Sequence, residues 1–412
     1  MGLPETVLIG DAGAVSQNRQ EQLETFLVNI VQDEKSEYLQ RRSIRLLLRV
    51  LRRLSYVFKS LVRLRLYLYE KRVLRHHTLG CQVISVGNLT VGGTGKTPVV
   101  EAFARELAAE GRKVAILSRG YKKVEPSAGR KLLDKLTFAA RRRPPRVVSD
   151  GKDLLLDSAM SGDEPYMLAM NLPNVCVLVD KDRVKSGRYA ITELGCDTLI
   201  LDDGFQYLSL KHQLDIVLVD KRNPFGNGHV LPRGLLREPI ENIKRANFIF
   251  ITKSDGKGLE PLRKQLRELN PEAEIIECCH EARYLQNIYK TERTSLESLR
   301  GARVGVISGI AVPEGFENDV AARGADVVFA ERYADHHRYT QQEIIDLINR
   351  ADEEKVDMIV TTEKDAVRFP RMGRRDVPIF FLRVDIELLR GEQDFHDCIQ
   401  RICFKKNGQG AK

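Results

Sequence analysis

The fold follows from one stretch of the sequence, Ser85-Val86-Gly87-Asn88-Leu89-Thr90-Val91-Gly92-Gly93-Thr94-Gly95-Lys96-Thr97-Pro98. Apolar, strand-forming residues lead into it, and a helical pattern follows it from Val99. Strand, glycine-rich turn, Gly-Lys-Thr and helix in this order are typical of a phosphate-binding loop. Glycines let backbone N–H groups turn toward an anion, and the helix N-terminus adds partial positive charge. The sequence therefore predicts an α/β protein of the P-loop NTPase type that binds a nucleoside triphosphate.

Within this loop the side chains have distinct predicted roles. Lys96 is expected to reach the β- and γ-phosphates, and the hydroxyl of Thr97 to ligate Mg²⁺. Thr90 stands where the usual motif has its first glycine, and the local form is closer to that of dimeric partitioning ATPases, although Val91 replaces their lysine. The residues predicted to bind the nucleotide are Thr90, Val91, Gly92, Gly93, Thr94, Gly95, Lys96 and Thr97.

Beyond the loop, apolar strand patterns alternate with helical ones, which predicts a mostly parallel sheet. The strand from Thr198 ends in Asp202-Asp203, the form of a Walker B element whose carboxylate meets Mg²⁺ or its water shell. A polar insertion is predicted at residues 122–150, and a second α/β run without a phosphate loop follows near residue 300. The predicted divisions are an accessory extension (1–40), a basic helix (41–78), a P-loop domain (79–290) and a smaller α/β domain (291–412).

The positive charge is concentrated near the N-terminus. The formal net charge is +9, and the segment Arg41–Arg75 holds twelve Lys or Arg and one acid, Glu70. On a helical wheel the arginines occupy about a third of the circumference and leucines the other side, which predicts a basic amphipathic helix on an anionic membrane. The alternative is a surface helix docked on the protein core; nothing indicates nucleic-acid binding. Seven scattered cysteines without a Cys-x-x-Cys pair indicate free thiols in a reducing compartment.

Several motifs in the same order resemble those of tetraacyldisaccharide 4′-kinases, the kinases of the lipid A pathway. They are Gly87–Pro98, Ser118–Tyr121, Gly162-Asp163-Glu164-Pro165, Asp202–Gln206, Phe225–Gly228 with Leu231–Pro239, Asp335-His336-His337 and Thr361–Asp365. The resemblance covers about residues 40–390. Thr90 at the first glycine position is usual in this family. Two departures are the arginine-rich N-terminal helix, where the family usually has a hydrophobic anchor, and the positive charge of the insertion after Tyr121.

The resemblance implies a P-loop kinase that uses ATP and Mg²⁺. It would transfer the γ-phosphoryl group to the 4′-hydroxyl of a tetraacylated glucosamine disaccharide 1-phosphate and so form lipid IVA. Asp163 would be the proton acceptor and His336 its partner, with His337 as the alternative partner, while Lys96 stabilises the transferred phosphoryl group. Glu164, Asp203 and Thr97 are the implied Mg²⁺ residues. Arg119, Arg237, Gln206 and Asp202 are the implied substrate residues.

The resemblance further places the enzyme on the cytoplasmic face of the bacterial inner membrane, peripherally or at the interface. The lipid acceptor and the anionic membrane surface are the expected partners, with no nucleic acid and no inferable protein partner. Two other functions remain open from the residues alone. Thr252-Lys253-Ser254-Asp255 after a strand resembles a guanine-reading motif, which would suit a GTP-hydrolysing switch or metallochaperone. A membrane-associated positioning ATPase would use the same loop and basic helix.

Overall fold

The structure is a computed structural model that describes residues 42–120, 143–373 and 376–404. The predicted extension at residues 1–40 lies outside the described residues, and so does residue 41. Of the predicted insertion at 122–150, residues 122–142 also lie outside them. The description that follows concerns the remaining chain, which contains both the phosphate loop and the second α/β run.

Helices and strands alternate along the described chain. The helices are α1 (Arg42–Glu70), α2 (Lys96–Ala109), α3 (Ser158–Ser161), α4 (Asp163–Asn171), α5 (Arg183–Thr192), α6 (Glu260–Leu269), α7 (Pro313–Ala322), α8 (Gln341–Glu353), α9 (Glu363–Ala366) and α10 (Glu392–Phe404). The strands are β1 (Gln82–Asn88), β2 (Val114–Ser118), β3 (Arg146–Asp150), β4 (Cys176–Val179), β5 (Thr198–Asp202), β6 (Leu214–Asp220), β7 (Phe248–Thr252), β8 (Glu274–Asn287), β9 (Arg293–Thr294), β10 (Arg303–Ser308), β11 (Asp326–Arg332), β12 (Met358–Thr362) and β13 (Ile379–Arg390).

All thirteen strands belong to one sheet, in the order β11-β10-β12-β13-β8-β7-β6-β1-β5-β2-β4-β3, with β9 paired to β8. Most neighbours are parallel; β13 with β8, β3 with β4 and β9 with β8 are antiparallel. Parallel strands carry their chemistry at a shared carboxyl-terminal edge, and β1, β5 and β12 each run into a predicted motif there. The sheet continues without a break across residue 290, and the predicted domain boundary remains a prediction.

The core lies against β1 and its neighbours. The central strands of the sheet are apolar on both faces, as expected for parallel strands covered by helices on both sides. Phe103 of α2 packs edge-to-face on Phe250 of β7 and Phe395 of α10, at centroid distances of 5.7 and 4.9 Å. These contacts fix α2, the helix that follows the phosphate loop, on the sheet.

The predicted alternation of strands and helices is present, and the strand predicted from Thr198 is β5 (Thr198–Asp202). The prediction of a polar insertion up to residue 150 was wrong at its end. There Arg146–Asp150 forms the edge strand β3, held by antiparallel pairing to β4 despite only two apolar residues. The sequence also did not predict β8, the antiparallel partner of β13, because polar and apolar residues mix irregularly along it.

The described chain divides into two compact units: α1 with residues 89–93 and 223–244 forms one, and the sheet belongs to the other. Within the first unit, Ser55 of α1 is buried, donates to the carbonyl oxygen of Val230 at 2.7 Å and accepts from the backbone N–H of Arg233 at 3.0 Å. Lys59 lies 3.6 Å from Glu241. The predicted basic helix is therefore present at Arg42–Glu70. No helix in the described ranges has the length and apolar character needed to cross a membrane.

Candidate active site

The phosphate loop joins the buried end of β1 to the first residue of α2. Gly95 precedes α2 with a φ of 80°, and Gly92 has a φ of 117°, backbone conformations that favour glycine. A Cβ on Gly95 would lie 2.5 Å from the imidazole of His280, so this glycine is also required by close packing. Thr94 is buried, and its carbonyl oxygen accepts a hydrogen bond of 2.8 Å from the hydroxyl of Thr252. The loop is thus fixed from the sheet side by β7 and β8.

Lys96 and the strand-end carboxylates lie together at the carboxyl edge of the sheet. The Nζ atom of Lys96 is 3.4 Å from Oδ1 of Asn88 and 3.6 Å from Oδ1 of Asp203. Asp202 is buried and accepts a 2.9 Å hydrogen bond from the hydroxyl of Ser118. Burial raises the pKa of Asp202 to about 6, and the negative charge of Glu164 contributes further. Lys96, Asp202 and Asp203 therefore lie at the same edge of the sheet as the phosphate loop.

Asp163 is the first residue of α4 and lies almost fully buried. Its Oδ2 atom is 2.9 Å from Nδ1 of His336 and accepts a 2.9 Å hydrogen bond from Nε of Arg368. Oδ1 accepts no hydrogen bond from the described residues, although Nη2 of Arg338 is 3.5 Å away. Burial acts to raise the pKa of Asp163, but the hydrogen bond to His336 and the charge of Arg368 outweigh it and hold the pKa below its usual range.

His336, not His337, is the partner of Asp163 in the structure. His336 has a φ of 67°, in the left-handed region that a residue with a side chain seldom adopts. Its other ring nitrogen, Nε2, is 3.4 Å from Nζ of Lys364. His337 instead lies 3.0 Å from Glu343 and stacks on Tyr333 with centroids 4.7 Å apart. The two adjacent histidines therefore have different surroundings.

The sequence did not single out Arg368, whose side chain is fully buried. Besides Asp163, it donates to Asp365 at 3.0 Å and to the carbonyl oxygen of Gly309 at 3.2 Å. Asp365 belongs to the Thr361–Asp365 motif, one of those that carry the family resemblance. Thr362 caps α9 by accepting from the backbone N–H of Asp365. No signal in the local sequence identifies Arg368, which lies beyond the end of α9 at Ala366.

The structure places the other predicted residues as follows. Gln206 donates from Nε2 to the carbonyl oxygen of Asn88 at 3.0 Å, at the end of β1. Thr97 lies in the first turn of α2, and Glu164 follows Asp163 in α4 with its carboxylate 4.0 Å from Lys364. Arg119 is exposed after β2. Arg237 belongs to the α1 unit, where its backbone N–H donates to the carbonyl oxygen of Leu89 at 2.7 Å.

A phosphate loop with an adjoining strand-end carboxylate pair, and beyond it a buried Asp–His pair, defines a P-loop phosphotransferase. Comparison with known proteins identifies which one. The family model described as tetraacyldisaccharide-1-P 4′-kinase matches residues 47–403. The chain belongs to this family.

Individual relatives agree. The chain is 43% identical over 343 residues to the tetraacyldisaccharide 4′-kinase of Anaeromyxobacter dehalogenans, covering 81% of this chain and 85% of that one. It is 33% identical over 403 residues to that of Halothermothrix orenii, covering 93% and 99%. A crystal structure of LpxK from Aquifex aeolicus in complex with ATP superposes with a TM-score of 0.67 at 28% identity, over 87% of this chain and 100% of that one.

These comparisons confirm the predicted fold class and the predicted phosphotransferase of lipid A biosynthesis. They do not favour the GTP-dependent switch or the positioning ATPase. In the structure Asp255, the residue that would read guanine, forms an ion pair with Lys221. Membership of a kinase family implies ATP and Mg²⁺ as cofactors, as predicted.

The residues present fit these cofactors. Mg²⁺ prefers oxygen donors and retains several waters, so one or two protein oxygens suffice. Asp203 and Thr97 supply a carboxylate and a hydroxyl of the required kind. No group of three or more His, Cys, Asp or Glu side chains with metal-binding geometry occurs in residues 42–120, 143–373 and 376–404.

Proposed function

We propose that this kinase transfers the γ-phosphoryl group of ATP to the 4′-hydroxyl of a tetraacylated glucosamine disaccharide 1-phosphate, with Asp163 as the proton acceptor. The observation that carries the proposal is the asymmetry of the Asp163 carboxylate. Two donors, His336 and Arg368, hold Oδ2, while Oδ1 has no hydrogen-bond donor among the described residues. A carboxylate fixed through one oxygen presents the other to a substrate hydroxyl in a defined orientation.

The charges around the site support phosphoryl transfer. Lys96 provides a cation at the phosphate loop, and the Mg²⁺ that the family implies would be held by Thr97 and Asp203 and would neutralise phosphate charge. Glu164 is close enough to Asp202 to affect its pKa, which agrees with a role at the edge of the same metal site. For Arg119, Arg237, Gln206 and Asp202 we propose contacts to phosphate or substrate groups.

The Asp163–His336 contact joins the two predicted domains, since Asp163 lies in 79–290 and His336 in 291–412. Arg368 adds a second connection between the same regions. We propose that closure of residues 291–412 over the acceptor assembles this proton-accepting group before the phosphoryl group moves.

Asp163→Asn tests the catalytic role. Transfer of labelled γ-phosphate to the disaccharide 1-phosphate lipid is expected to fall at least about a hundredfold, because the amide cannot accept the proton. ATP affinity, measured by calorimetry, should stay within about twofold. Asp157→Asn is the matched control: Asp157 caps α3 through the backbone N–H of Met160 and lies outside the Asp163 cluster. Transfer by Asp163→Asn at the wild-type rate would exclude Asp163 as the base.

We further propose that α1 binds the anionic cytoplasmic surface of the inner membrane. One side of α1 carries the buried residues Ile44 and Ser55, and Ser55 bonds to Val230 of the same unit; the arginines cover another side. Between them runs an exposed aliphatic stripe at helical spacing, whose side chains are 47–60% exposed. Its members are Leu46, Val50, Leu54, Val57, Leu61 and Leu64. Helices with an apolar stripe beside a basic face lie in the headgroup plane of anionic bilayers.

Vesicle flotation of the full chain tests this proposal. Binding should be stronger to phosphatidylglycerol than to phosphatidylcholine vesicles and should weaken as salt is raised. Leu54→Ser/Leu61→Ser should reduce binding to both, since each buried aliphatic side chain contributes about 1.5–3 kcal/mol. Val312→Ser, which removes an aliphatic side chain of similar exposure from the sheet unit, is the control. Equal binding by the stripe variant and wild type would exclude the stripe as the membrane contact.

A further inference from the structure

A second concave site lies in the sheet unit, apart from the phosphate loop. It is an open cavity of about 710 Å³ between α4, the β8–β13 pair and residues 363–371. We call it the Tyr166 cavity. None of the residues predicted for nucleotide, metal or acceptor binding lines it. Its size is in the range of roughly 300–1,000 Å³ that is typical of small-ligand sites.

The walls of the Tyr166 cavity are mainly aromatic and aliphatic. α4 contributes Tyr166, Met167 and Met170, and the opposite side contributes Tyr284 and Phe369. Methionine side chains are flexible and polarisable, so they adapt to chains of different length and shape. This lining suits an extended aliphatic group better than a rigid polar molecule.

The charges at the cavity are of two kinds. The acids Glu363 and Asp385 are both paired with Arg383, at 2.8 and 2.6 Å. Arg293 and Arg371 also line the cavity, are exposed, and form no ion pair with any residue that the structure describes. Arg293 lies over the ring of Tyr284, 4.6 Å from its centroid. The uncompensated charge beside the apolar walls is therefore positive.

We propose that the Tyr166 cavity binds an amphiphilic anion, a single aliphatic chain with a phosphate or carboxylate head. The chain would lie against the aromatic and methionine walls, and the head would meet Arg293 and Arg371. Two walls of the cavity also supply the two partners of the Asp163–Arg368 contact. α4 begins with Asp163, and residues 363–371 include Arg368, which donates a hydrogen bond to the Asp163 carboxylate. Occupancy therefore restrains both partners of this contact and alters turnover.

Fluorescence tests the binding, because the chain has no tryptophan. Met170→Trp introduces one reporter at the cavity, where Met170 is half exposed. Val312→Trp, at an exposed aliphatic position outside the cavity, is the matched control. Decyl phosphate and decanoate, below their micelle concentrations, are titrated separately, with decyltrimethylammonium and inorganic phosphate as comparisons.

A saturable emission change is expected for the Met170→Trp protein with one or both decyl anions, and the stronger ligand identifies the headgroup. Inorganic phosphate and the decyl cation should produce none. In the Met170→Trp background, Arg293→Gln/Arg371→Gln should raise the dissociation constant at least about tenfold, whereas Arg300→Gln, another exposed arginine, should leave it unchanged. Equal responses from both reporters, equal affinity for the cation, or insensitivity to the double substitution would overturn the binding site.

Turnover tests the coupling. Saturating decyl anion should change the kcat of the wild-type kinase at least about twofold, with lipid acceptor in excess. The Arg293→Gln/Arg371→Gln enzyme should show no such change at the same concentration. This control separates the cavity from competition at the acceptor site, because it leaves the acceptor site intact. An unchanged kcat in the wild type at saturation would overturn the coupling.

Discussion

Arg383→Met is expected to destabilise the sheet unit strongly. Arg383 of β13 is buried, and it donates to Glu363 of α9 at 2.8 and 3.0 Å, to Asp385 at 2.6 Å and also to Glu101 of α2. Glu101 and Glu363 are themselves almost fully buried. Removal of one partner from a buried ion pair leaves uncompensated charge and typically costs about 3–5 kcal/mol. Here the carboxylates left behind come from two helices and the strand itself.

The loss should depend on pH in a defined direction. Burial raises the pKa of Glu363, and the charge of Glu101 adds to this against the opposing charge of Arg383. Without Arg383 the pKa of Glu363 rises further, so the folded variant holds protons that the unfolded chain has released. Its unfolding free energy then decreases as pH rises through the glutamate range and above. The difference from wild type is therefore largest at neutral pH and shrinks on acidification.

Urea unfolding followed by circular dichroism at pH 5, 6, 7 and 8 measures both effects. Arg401→Met is the matched control: Arg401 forms an exposed ion pair with Glu274 at 2.9 Å, and such pairs contribute about 0–1 kcal/mol. Arg383→Lys keeps the charge without the planar fork and should lie between wild type and Arg383→Met. A loss below about 1 kcal/mol at pH 7, or an equal loss at all four pH values, would refute the reasoning.

Two further predictions concern buried groups near the site. Arg368→Met should lower kcat and shift the acid limb of the pH profile of kcat/KM to higher pH, because the pKa of Asp163 rises when the charge of Arg368 is removed. The side chain of Arg338 is 43% exposed, so Arg338→Met should have a smaller effect. An acid limb that stays unchanged in Arg368→Met would contradict this role of Arg368. His280 has a pKa lowered to about 4, first by burial and then by the charge of Lys253. Below about pH 6.5 the unfolded chain therefore binds a proton at His280, whereas the folded chain binds it only near pH 4. The unfolding free energy should accordingly fall by about 3 kcal/mol as the pH is lowered from 6.5 to 4. His280→Leu should remove most of this slope in urea titrations, and an unchanged slope would assign it to other groups.

Local patterns predicted the parts of the site that are local in the chain. The phosphate loop and the Asp202-Asp203 strand end each combine an apolar strand with a short polar turn, so a few residues specify the geometry. The pairing of Asp163 with His336 rested on family resemblance, because 173 residues separate them. Arg368 is 205 residues from Asp163, and nothing in its local sequence distinguishes it from other arginines.

The network around Arg383 could not be predicted for the same reason. The sequence pattern alone gives no reason to expect that Glu101, Glu363 and Arg383 are anything other than surface charges. They become buried only when α2 and α9 pack beside β13. β3 was not predicted as a strand, because a strand paired at the edge of a sheet needs few apolar residues. The interior strands could be predicted from their apolar runs alone.

The surroundings of Asp163 restrict how it acts. A carboxylate with a lowered pKa is a weak base, and general-base catalysis is most effective when the pKa is near the working pH. His336, Arg368 and Arg338 nevertheless surround this group with donors and positive charge. In a loose phosphoryl-transfer transition state the attacking hydroxyl loses its proton late, so little basicity is needed before the phosphoryl group has moved. We infer that these neighbours keep Asp163 ionised and oriented at some expense of basicity. Under the proposed role of Asp163, its position then contributes more than its proton affinity.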